Sequence, residues 1–271
     1  LKVLDNHSVS NIIGRGGTIL KTARCPEFLT DAGQSRAAGI IKKYQIDGLV
    51  LIGGNGTYGG GVALSRKWGV PCIGMPGTID NDINGTDSTI GADTAVNTAL
   101  EAIDKIRDTV TSMERIFVVE VMGRDSGYIA LQVALGGGAE DVLVPERKFD
   151  VVRMCHDIVE GNIRGKVSWI IVVAEGAGRA DDIAKQITDL TSLETRVAIL
   201  GHVQRGGAPT SKDRNLASVL GIEAVRLLAE GESGKAVGVI SSKINIVDLE
   251  FAVTKKDPQI DVIYQALKTL I

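Results

Sequence analysis

Aromatic residues are scarce in this sequence: they make up 4% of its 271 residues, whereas glycine occurs 33 times and 44% of the residues are hydrophobic. This profile argues against a β-sandwich. The abundance of Val, Ile, Ala and Gly instead favours a parallel sheet covered by helices. A chain of this length can bury a sizeable core, and we expect it to form two lobes.

Cysteine is also rare. The three cysteines, Cys25, Cys72 and Cys155, lie far apart and have no C-x-x-C spacing. This distribution argues against a disulfide framework or a zinc site and fits a reducing compartment. Cys72 lies within an apolar run, so it is predicted to be a core residue.

Basic residues are not in excess, since the formal net charge is −3. The sequence therefore lacks the positive surface that nucleic-acid binding needs, and we expect no nucleic-acid partner. An anionic substrate would have to be held by a few placed arginines, glycine-rich backbone amides and helix N-termini. No apolar run reaches membrane-spanning length and no signal-peptide pattern is found, so we expect a cytoplasmic protein without a membrane partner.

Hydrophobic periodicity predicts an alternation of helices and strands that is typical of a doubly wound sheet. A hairpin-like pair is predicted near the end of the chain, over 236–240 and 243–246. Lys255 and Lys256 are interpreted as a solvated basic pair. The predicted helices are 5–13, 32–44, 94–110, 126–136, 151–160, 213–228 and 260–270, and the predicted strands are 46–52, 71–75, 116–121, 142–145, 169–174 and 196–200.

The most informative stretch follows the apolar run 71–75 and has the sequence Pro-Gly-Thr-Ile-Asp-Asn-Asp over residues 76–82. In an open α/β sheet, ligands bind beyond the carboxyl ends of the strands. In an extended segment Asp80 and Asp82 would face the same side, which suits a general base beside a second acid or a magnesium site. A polar surface turn is an equally compatible interpretation of these residues alone.

A glycine-rich stretch, residues 53–57, ends the predicted strand 46–52. Glycines at such a junction let backbone amides approach phosphate oxygens, and the following helix adds its positive N-terminal end. Residues 54–59 also fit the dinucleotide fingerprint G-x-G-x-x-G, which would need an acidic residue about twenty positions further on, at the end of the next strand. That strand ends in Gly-Met-Pro over 74–76. Nicotinamide dinucleotide binding therefore stays only as an alternative.

An ordered series of motifs covering nearly the whole chain resembles the ATP-dependent 6-phosphofructokinase family. The motifs are Gly16-Gly17-Thr18 with Ala23-Arg24, the 53–57 and 76–82 stretches, Arg107, Arg115, Met122-Gly123-Arg124, Glu175-Gly176, Arg196, and residues 201–207 with the sequence GHVQRGG. In this family the stretch matching 76–82 carries the catalytic aspartate. The family also begins with a strand and a glycine-rich loop that are not found here, so the resemblance implies that the sequence is a fragment.

The resemblance implies a phosphotransferase that moves the γ-phosphoryl group of MgATP to the 1-hydroxyl of fructose 6-phosphate. It implies an α/β fold of two doubly wound, Rossmann-like lobes with mainly parallel sheets and the active site in the cleft between them. The nucleotide-binding lobe would comprise 1–91 and 204–254, and the sugar-phosphate-binding lobe 92–203 and 255–271.

The resemblance also implies roles for individual residues. Asp80 would be the catalytic base, with Thr78 and Arg124 stabilising the transferred group, and Asp82 and Asn55 would hold Mg²⁺. The implied ATP-binding residues are Arg24, Cys25, Gly54, Asn55, Gly56, Thr57 and Gly60. The implied substrate-binding residues are Thr78, Asp80, Asp82, Arg115, Met122, Gly123, Arg124, Glu175, Arg196, His202 and Arg205.

A homotetramer is implied as well, with active and effector sites shared between subunits. Arg115 and Arg196 would reach the active site of a neighbouring subunit. Four further residues match an allosteric site: Arg107, Glu140, Arg164 and Lys166.

Two alternatives remain, a pyrophosphate-dependent phosphofructokinase and a non-catalytic regulatory paralogue. Pyrophosphate-using relatives commonly carry Asp and Lys at the positions of Gly56 and Gly77, so these glycines favour ATP. Asn55, where relatives usually carry Asp, supports the non-catalytic alternative.

Overall fold

The computed structural model describes residues 2–113, 115–166, 168–256 and 260–270, apart from the side chains of residues 111 and 113. The contacts within the chain define two compact units. The first comprises Leu1–Ala92 and Ala208–Asp257, and the second comprises Asp93–Gly207 and Pro258–Ile271. Each unit is an α/β structure built on its own sheet of mainly parallel strands.

The elements alternate along the chain as expected for a doubly wound fold. The strands are β1 (Leu49–Gly53), β2 (Cys72–Pro76), β3 (Ile116–Val121), β4 (Asp141–Leu143), β5 (Trp169–Ala174), β6 (Thr195–Ile199), β7 (Lys235–Ile240) and β8 (Lys243–Asp248). The α-helices are α1 (Asp31–Lys43), α2 (Asn55–Trp68), α3 (Ala92–Met113), α4 (Tyr128–Gly136), α5 (Val151–Ile163), α6 (Ala180–Thr191), α7 (Ser211–Ala229), α8 (Leu249–Ala252) and α9 (Asp261–Leu270). Short 3-10 helices span Pro26–Leu29 and Gly201–Arg205.

The sheet of the first unit has the strand order β1-β2-β7-β8. β1, β2 and β7 are parallel, and β8 returns antiparallel to β7, which confirms the predicted hairpin-like pair. Every residue of β2, including Cys72, is buried, as expected for a central strand. Gly53 pairs with Pro76, so the loops after β1 and β2 begin side by side.

The sheet of the second unit has the order β4-β5-β3-β6 and its strand pairs are all parallel. All six residues of β5 are buried, which explains its uninterrupted apolar sequence. Val121 pairs with Ala174, and Glu120 pairs with Ile199. The loops after β3, β5 and β6 therefore start at one edge of this sheet.

The α/β fold with mainly parallel sheets is confirmed, and the predicted bounds of β3 and β5 agree with the structure. The predicted helix 5–13 is wrong, because residues 6–11 form turns in which Asp5 Oδ1 accepts a 2.8 Å hydrogen bond from Ser8 N. Helix α6 was missed, although its buried residues recur at helical spacing: Ala180, Ile183, Ala184 and Ile187. In the described ranges, no helix is both long and apolar enough to cross a membrane.

Candidate functional site

The loops after β1 and β2 contact each other directly. Gly77 N donates a 3.0 Å hydrogen bond to Gly53 O. A Cβ atom at Gly54 would lie 3.3 Å from Thr78 Cβ, so the two loops are closely packed at this point. A Cβ atom at Gly53 would lie only 2.3 Å from Thr57 Oγ1, so glycine is needed where the strand turns into α2.

Asn55, the first residue of α2, reaches the loop after β2. Its Nδ2 donates a 2.7 Å hydrogen bond to Asp82 Oδ2, which brings the two predicted metal-binding residues together. The Oδ1 atoms of both residues are buried, and neither has a hydrogen-bond partner in the described part of the chain. Oxygen ligands of this kind suit Mg²⁺, so the pair fits a magnesium site.

The same pair is too small to hold a metal ion by itself. The described residues include no group of three or more His, Cys, Asp or Glu side chains that could do so. Mg²⁺ keeps several waters and is commonly bound by one or two carboxylates together with substrate phosphates. An ion at Asn55 and Asp82 would therefore take most of its ligands from a bound nucleotide and water.

Asp80 is buried, with a relative exposure of 4%, and its backbone N–H donates a 3.3 Å hydrogen bond to Thr78 Oγ1. Asn81, between the two aspartates, has a left-handed backbone with φ of 51°. The expectation that Asp80 and Asp82 lie in an extended segment is therefore wrong. The alternation of side chains holds only for continuous β conformation, which Asn81 interrupts.

Several side chains hold the segment that follows β2, here called the 77–91 segment. Thr89 Oγ1 donates a 2.6 Å hydrogen bond to Thr78 O, and Asn81 Nδ2 donates one of 3.0 Å to Asp87 O. Asp213 Oδ1 accepts a 2.9 Å hydrogen bond from Gly91 N. Sequence reasoning identified none of these contacts. Two of them lie within the segment and depend on its irregular backbone, and the contact with Asp213 depends on packing against a distant part of the chain.

Lys256 also binds this segment, so its interpretation as half of a solvated basic pair is wrong. Its Nζ donates hydrogen bonds to Asn81 O at 3.0 Å and to Thr86 O at 2.8 Å. Burial lowers the pKa of the Lys256 ammonium below its usual range, although Asp87 and Asp82 oppose this shift. Lys255 is exposed, as predicted.

In the second unit, Glu175 organises the loop that follows β3. Its Oε1 accepts hydrogen bonds from Gly123 N at 3.1 Å and from Arg124 N at 2.7 Å. Gly123 and Arg124 both have positive φ, of 147° and 52°. A Cβ atom at Gly176 would lie 2.0 Å from Arg124 O, so only glycine fits there. The structure thus joins Met122-Gly123-Arg124 to Glu175-Gly176.

Gln204 fastens the 3-10 helix Gly201–Arg205 to the same loop. Its side chain is 1% exposed, and Oε1 accepts a 2.9 Å hydrogen bond from Met122 N. His202 and Arg205, on either side of it, are exposed. Gln204 was missed as a functional residue. Its position inside the GHVQRGG motif, between His202 and Arg205, could have identified it as part of the site.

Arg115 and Arg196 meet at Glu194, a residue that sequence reasoning also missed. Arg115 Nε lies 3.1 Å from Glu194 Oε2, and Arg196 pairs with the other carboxylate oxygen. The parallel register of β3 and β6, in which Ile116 pairs with Thr195, produces this arrangement. A phosphate bound by these arginines would have to replace or share their contacts with Glu194.

The predicted effector residues meet around Glu140. Arg107 Nη1 lies 3.9 Å and Lys166 Nζ 3.7 Å from Glu140 Oε1. Arg164 instead pairs with Glu160 at 3.2 Å, one helical turn away. The structure therefore brings together three of the four residues: Arg107 and Lys166 lie at the carboxylate of Glu140. Arg164, two positions before Lys166, is exposed and does not join them.

Arg24 and Cys25 lie exposed just before the 3-10 helix Pro26–Leu29. Phe28 in this helix packs on α2, since a Cβ atom at Gly60 would lie 3.1 Å from its ring. The segment containing Arg24 and Cys25 is thus attached to the helix that begins with Asn55. The exposed residues Gly56 and Thr57 belong to the first turn of that helix.

Two mainly parallel sheets, each with glycine and charged or polar residues in the loops that leave its strands, define the chain as an α/β protein of the doubly wound type. Residues 1–228 match the family model described as Phosphofructokinase. The chain belongs to the phosphofructokinase family.

Its relatives include the ATP-dependent 6-phosphofructokinase of Clostridium botulinum strain Hall, which is 51% identical over 249 residues. That match covers 92% of this chain and 78% of the relative. Among solved structures, the Saccharomyces cerevisiae phosphofructokinase is 31% identical with a TM-score of 0.83, covering 95% of this chain and 38% of that one. The Pichia pastoris phosphofructokinase in the T-state is 32% identical with a TM-score of 0.87, covering 98% of this chain and 32% of that one. The chain therefore spans over a third of the first fungal chain and just under a third of the second.

Proposed function

We propose that the protein transfers the γ-phosphoryl group of MgATP to the 1-hydroxyl of fructose 6-phosphate, giving fructose 1,6-bisphosphate and ADP. The main support is the 51% identity to an ATP-dependent 6-phosphofructokinase over 92% of the chain. The contact of Asn55 with Asp82, two residues after the buried Asp80, adds a local chemical reason. Phosphoryl transfer depends mainly on positioning and charge neutralisation, which these side chains can provide.

Asp80 is the proposed catalytic base that accepts the proton of the attacking hydroxyl. Thr78 and Arg124 would stabilise the charge of the transferred group. Asp82 and Asn55 would hold Mg²⁺ through the two Oδ1 atoms that have no hydrogen-bond partner in the described structure. The bound ion would neutralise charge on the nucleotide phosphates.

The turn that leads into α2 is the proposed binding site of the nucleotide phosphates, because its glycines expose backbone amides at the positive end of a helix. The first unit would then bind ATP and the second the sugar phosphate. The proposed nucleotide-binding residues are Arg24, Cys25, Gly54, Asn55, Gly56, Thr57 and Gly60. The proposed sugar-phosphate-binding residues outside the 77–91 segment are Arg115, Met122, Gly123, Arg124, Glu175, Arg196, His202 and Arg205.

The assembly and the regulation belong to the same proposal. A cytoplasmic homotetramer would let Arg115 and Arg196 serve a neighbouring subunit. Their shared contact with Glu194 would hold both side chains in place before substrate arrives. Arg107, Glu140, Arg164 and Lys166 would bind a phosphate-bearing effector, for which two or three cations beside one acid are suited.

A coupled assay of the full-length protein with ATP and fructose 6-phosphate tests this proposal. We expect turnover with ATP, and we expect Asp80→Asn to reduce kcat by at least ~100-fold, since a general base contributes roughly that much. Asp47→Asn, an exposed carboxylate before β1, is the matched control and should leave kcat unchanged. Turnover with pyrophosphate but none with ATP, or no turnover with either donor, would contradict the proposal.

A further inference from the structure

Lys256 contacts the 77–91 segment although it lies far from that segment in the sequence. Its Nζ donates to Asn81 O at 3.0 Å and to Thr86 O at 2.8 Å, over sequence separations of 175 and 170 residues. Both acceptor residues are buried, with exposures of 7% for Asn81 and 4% for Thr86. A single ammonium group therefore ties together the two ends of the turn that begins immediately after Asp80.

The first of these acceptors lies at a sensitive point of the backbone. Asn81 has a φ of 51°, in the left-handed region that few residues other than glycine adopt and that asparagine tolerates better than most. Its carbonyl group belongs to the peptide that leads into Asp82. Rotation of that peptide would move Asp82 and, through Asn81, the preceding Asp80. The hydrogen bond from Lys256 opposes such a rotation.

A lysine is well suited to this task. Hydrogen bonds from a charged donor are stronger than those between neutral groups, and the ammonium group can donate to several acceptors at once. Asn81 Nδ2 and Thr86 Oγ1 also bond to backbone carbonyls, those of Asp87 and Ser88. These contacts are local, whereas Lys256 brings in a charged donor from after α8. Uncharged donors also reach the segment from distant parts of the chain, since Val239 N donates a 3.1 Å hydrogen bond to Thr86 Oγ1 and Asn245 Nδ2 donates one of 2.9 Å to Gly85 O.

We propose that Lys256 is a positioning residue that fixes the placement of Asp80 and Asp82 for phosphoryl transfer. The inference rests on the function proposed above. Lys256 acts through backbone carbonyls of the segment and not through the substrates. Its loss should therefore lower kcat more than it weakens substrate binding, as expected when an interaction matters mainly in the transition state.

The test compares Lys256→Met, Lys256→Arg and the matched control Lys255→Met in the full-length protein. Kinetics with ATP and fructose 6-phosphate give kcat and KM, and hydrogen exchange by mass spectrometry reports backbone protection. For Lys256→Met we expect kcat to fall by at least ~10-fold with both KM values within about 3-fold, and exchange to rise over 77–90 but not in β5. Lys256→Arg should recover part of kcat, and Lys255→Met should match the parent in every measurement.

Two results would overturn the inference: a kcat for Lys256→Met within about 2-fold of the parent, or unchanged exchange over 77–90. If Lys256→Met does not fold, Lys256→Gln, which keeps an uncharged amide as donor, is judged by the same criteria. A parent protein without turnover would contradict the proposed function instead. The exchange measurement needs no activity, so it still decides whether Lys256 holds the segment.

Discussion

The side-chain amide of Asn55 donates a 2.7 Å hydrogen bond to the carboxylate of Asp82, 27 residues further along the chain. This contact joins the start of α2 to the loop after β2. An aspartate at position 55 would have no N–H to offer and would place a second negative charge against Asp82. We therefore expect the residue at position 55 to change how strongly the pair depends on a cation.

We expect Asn55→Asp to lower the free Mg²⁺ needed for half-maximal rate by about tenfold, because an added charged ligand is worth on the order of 1 to 2 kcal/mol in a partly wet site. The unfolding temperature of the variant should also depend more steeply on the Mg²⁺ concentration, since a bound ion would offset the repulsion between the two adjacent carboxylates. The measurements are a magnesium titration of activity, corrected for free nucleotide, and a thermal melt at each Mg²⁺ concentration.

Asp80→Asn is the control, because it should abolish most turnover without changing the magnesium requirement. A variant that needs as much Mg²⁺ as the parent would remove Asn55 from the proposed metal site.

Gly56 and Gly77 should respond differently to larger side chains. Apart from its chain neighbours and the backbone of α2, no heavy atom of the described residues lies within 4 Å of a Cβ built on Gly56, whereas one built on Gly77 would lie 3.1 Å from Ile52 Cγ2 and 3.3 Å from Gly53 N. We expect Gly56→Asp to fold normally but to raise KM for ATP, because a carboxylate at the start of α2 repels phosphates. Gly77→Lys should cost about 1 to 3 kcal/mol of stability through overpacking. Urea denaturation and ATP kinetics check both, and equal stability losses would contradict this account.

Two of the proposed effector residues, Lys166 at Glu140 and Arg164 at Glu160, define a variant that should uncouple regulation from catalysis. We expect Arg164→Ala combined with Lys166→Ala to weaken the response to a nucleoside diphosphate or phosphoenolpyruvate by at least ~5-fold, since charge-assisted contacts to phosphate are lost. Turnover without effector should stay near that of the parent. Lys185→Ala is the matched control, because Lys185 is an exposed lysine on α6 that pairs with Asp189. Unchanged effector titrations in the double variant would show that these cations do not bind an effector.

The cysteines should differ in reactivity. Burial raises the pKa of the Cys72 thiol to about 11 and also raises the pKa of Cys155, so little thiolate is present on either near neutral pH. Cys25 is exposed. We expect a small alkylating reagent at pH 8 to modify Cys25 first, and Cys72 and Cys155 only after denaturation. Mass spectrometry of labelled peptides checks this order, with Cys25→Ser as the control that should lose the fast phase. Fast labelling of Cys72 in the folded protein would contradict the buried position.

The sequence by itself determined most of the fold. β5 is a continuous apolar run and β3 is apolar except for Glu120, and such runs are typical of strands that are covered on both faces of a sheet. The strand-end motifs could also be found, because a turn after a strand has its own residue chemistry. The helix predicted over 5–13 is wrong because the prediction relied on a capping pattern alone. A short helix also needs tertiary contacts to persist.

Only the tertiary structure decided which of those residues meet. Asn55 contacts Asp82 because β1 and β2 are in register, and Glu194 joins Arg115 to Arg196 because β3 and β6 are. Lys256 was predicted to be a solvated surface residue, but the chain after α8 places its ammonium group at the carbonyl of Asn81. Side-chain periodicity reports on neighbours a few residues away, whereas these contacts depend on strand register and on packing between segments up to 175 residues apart.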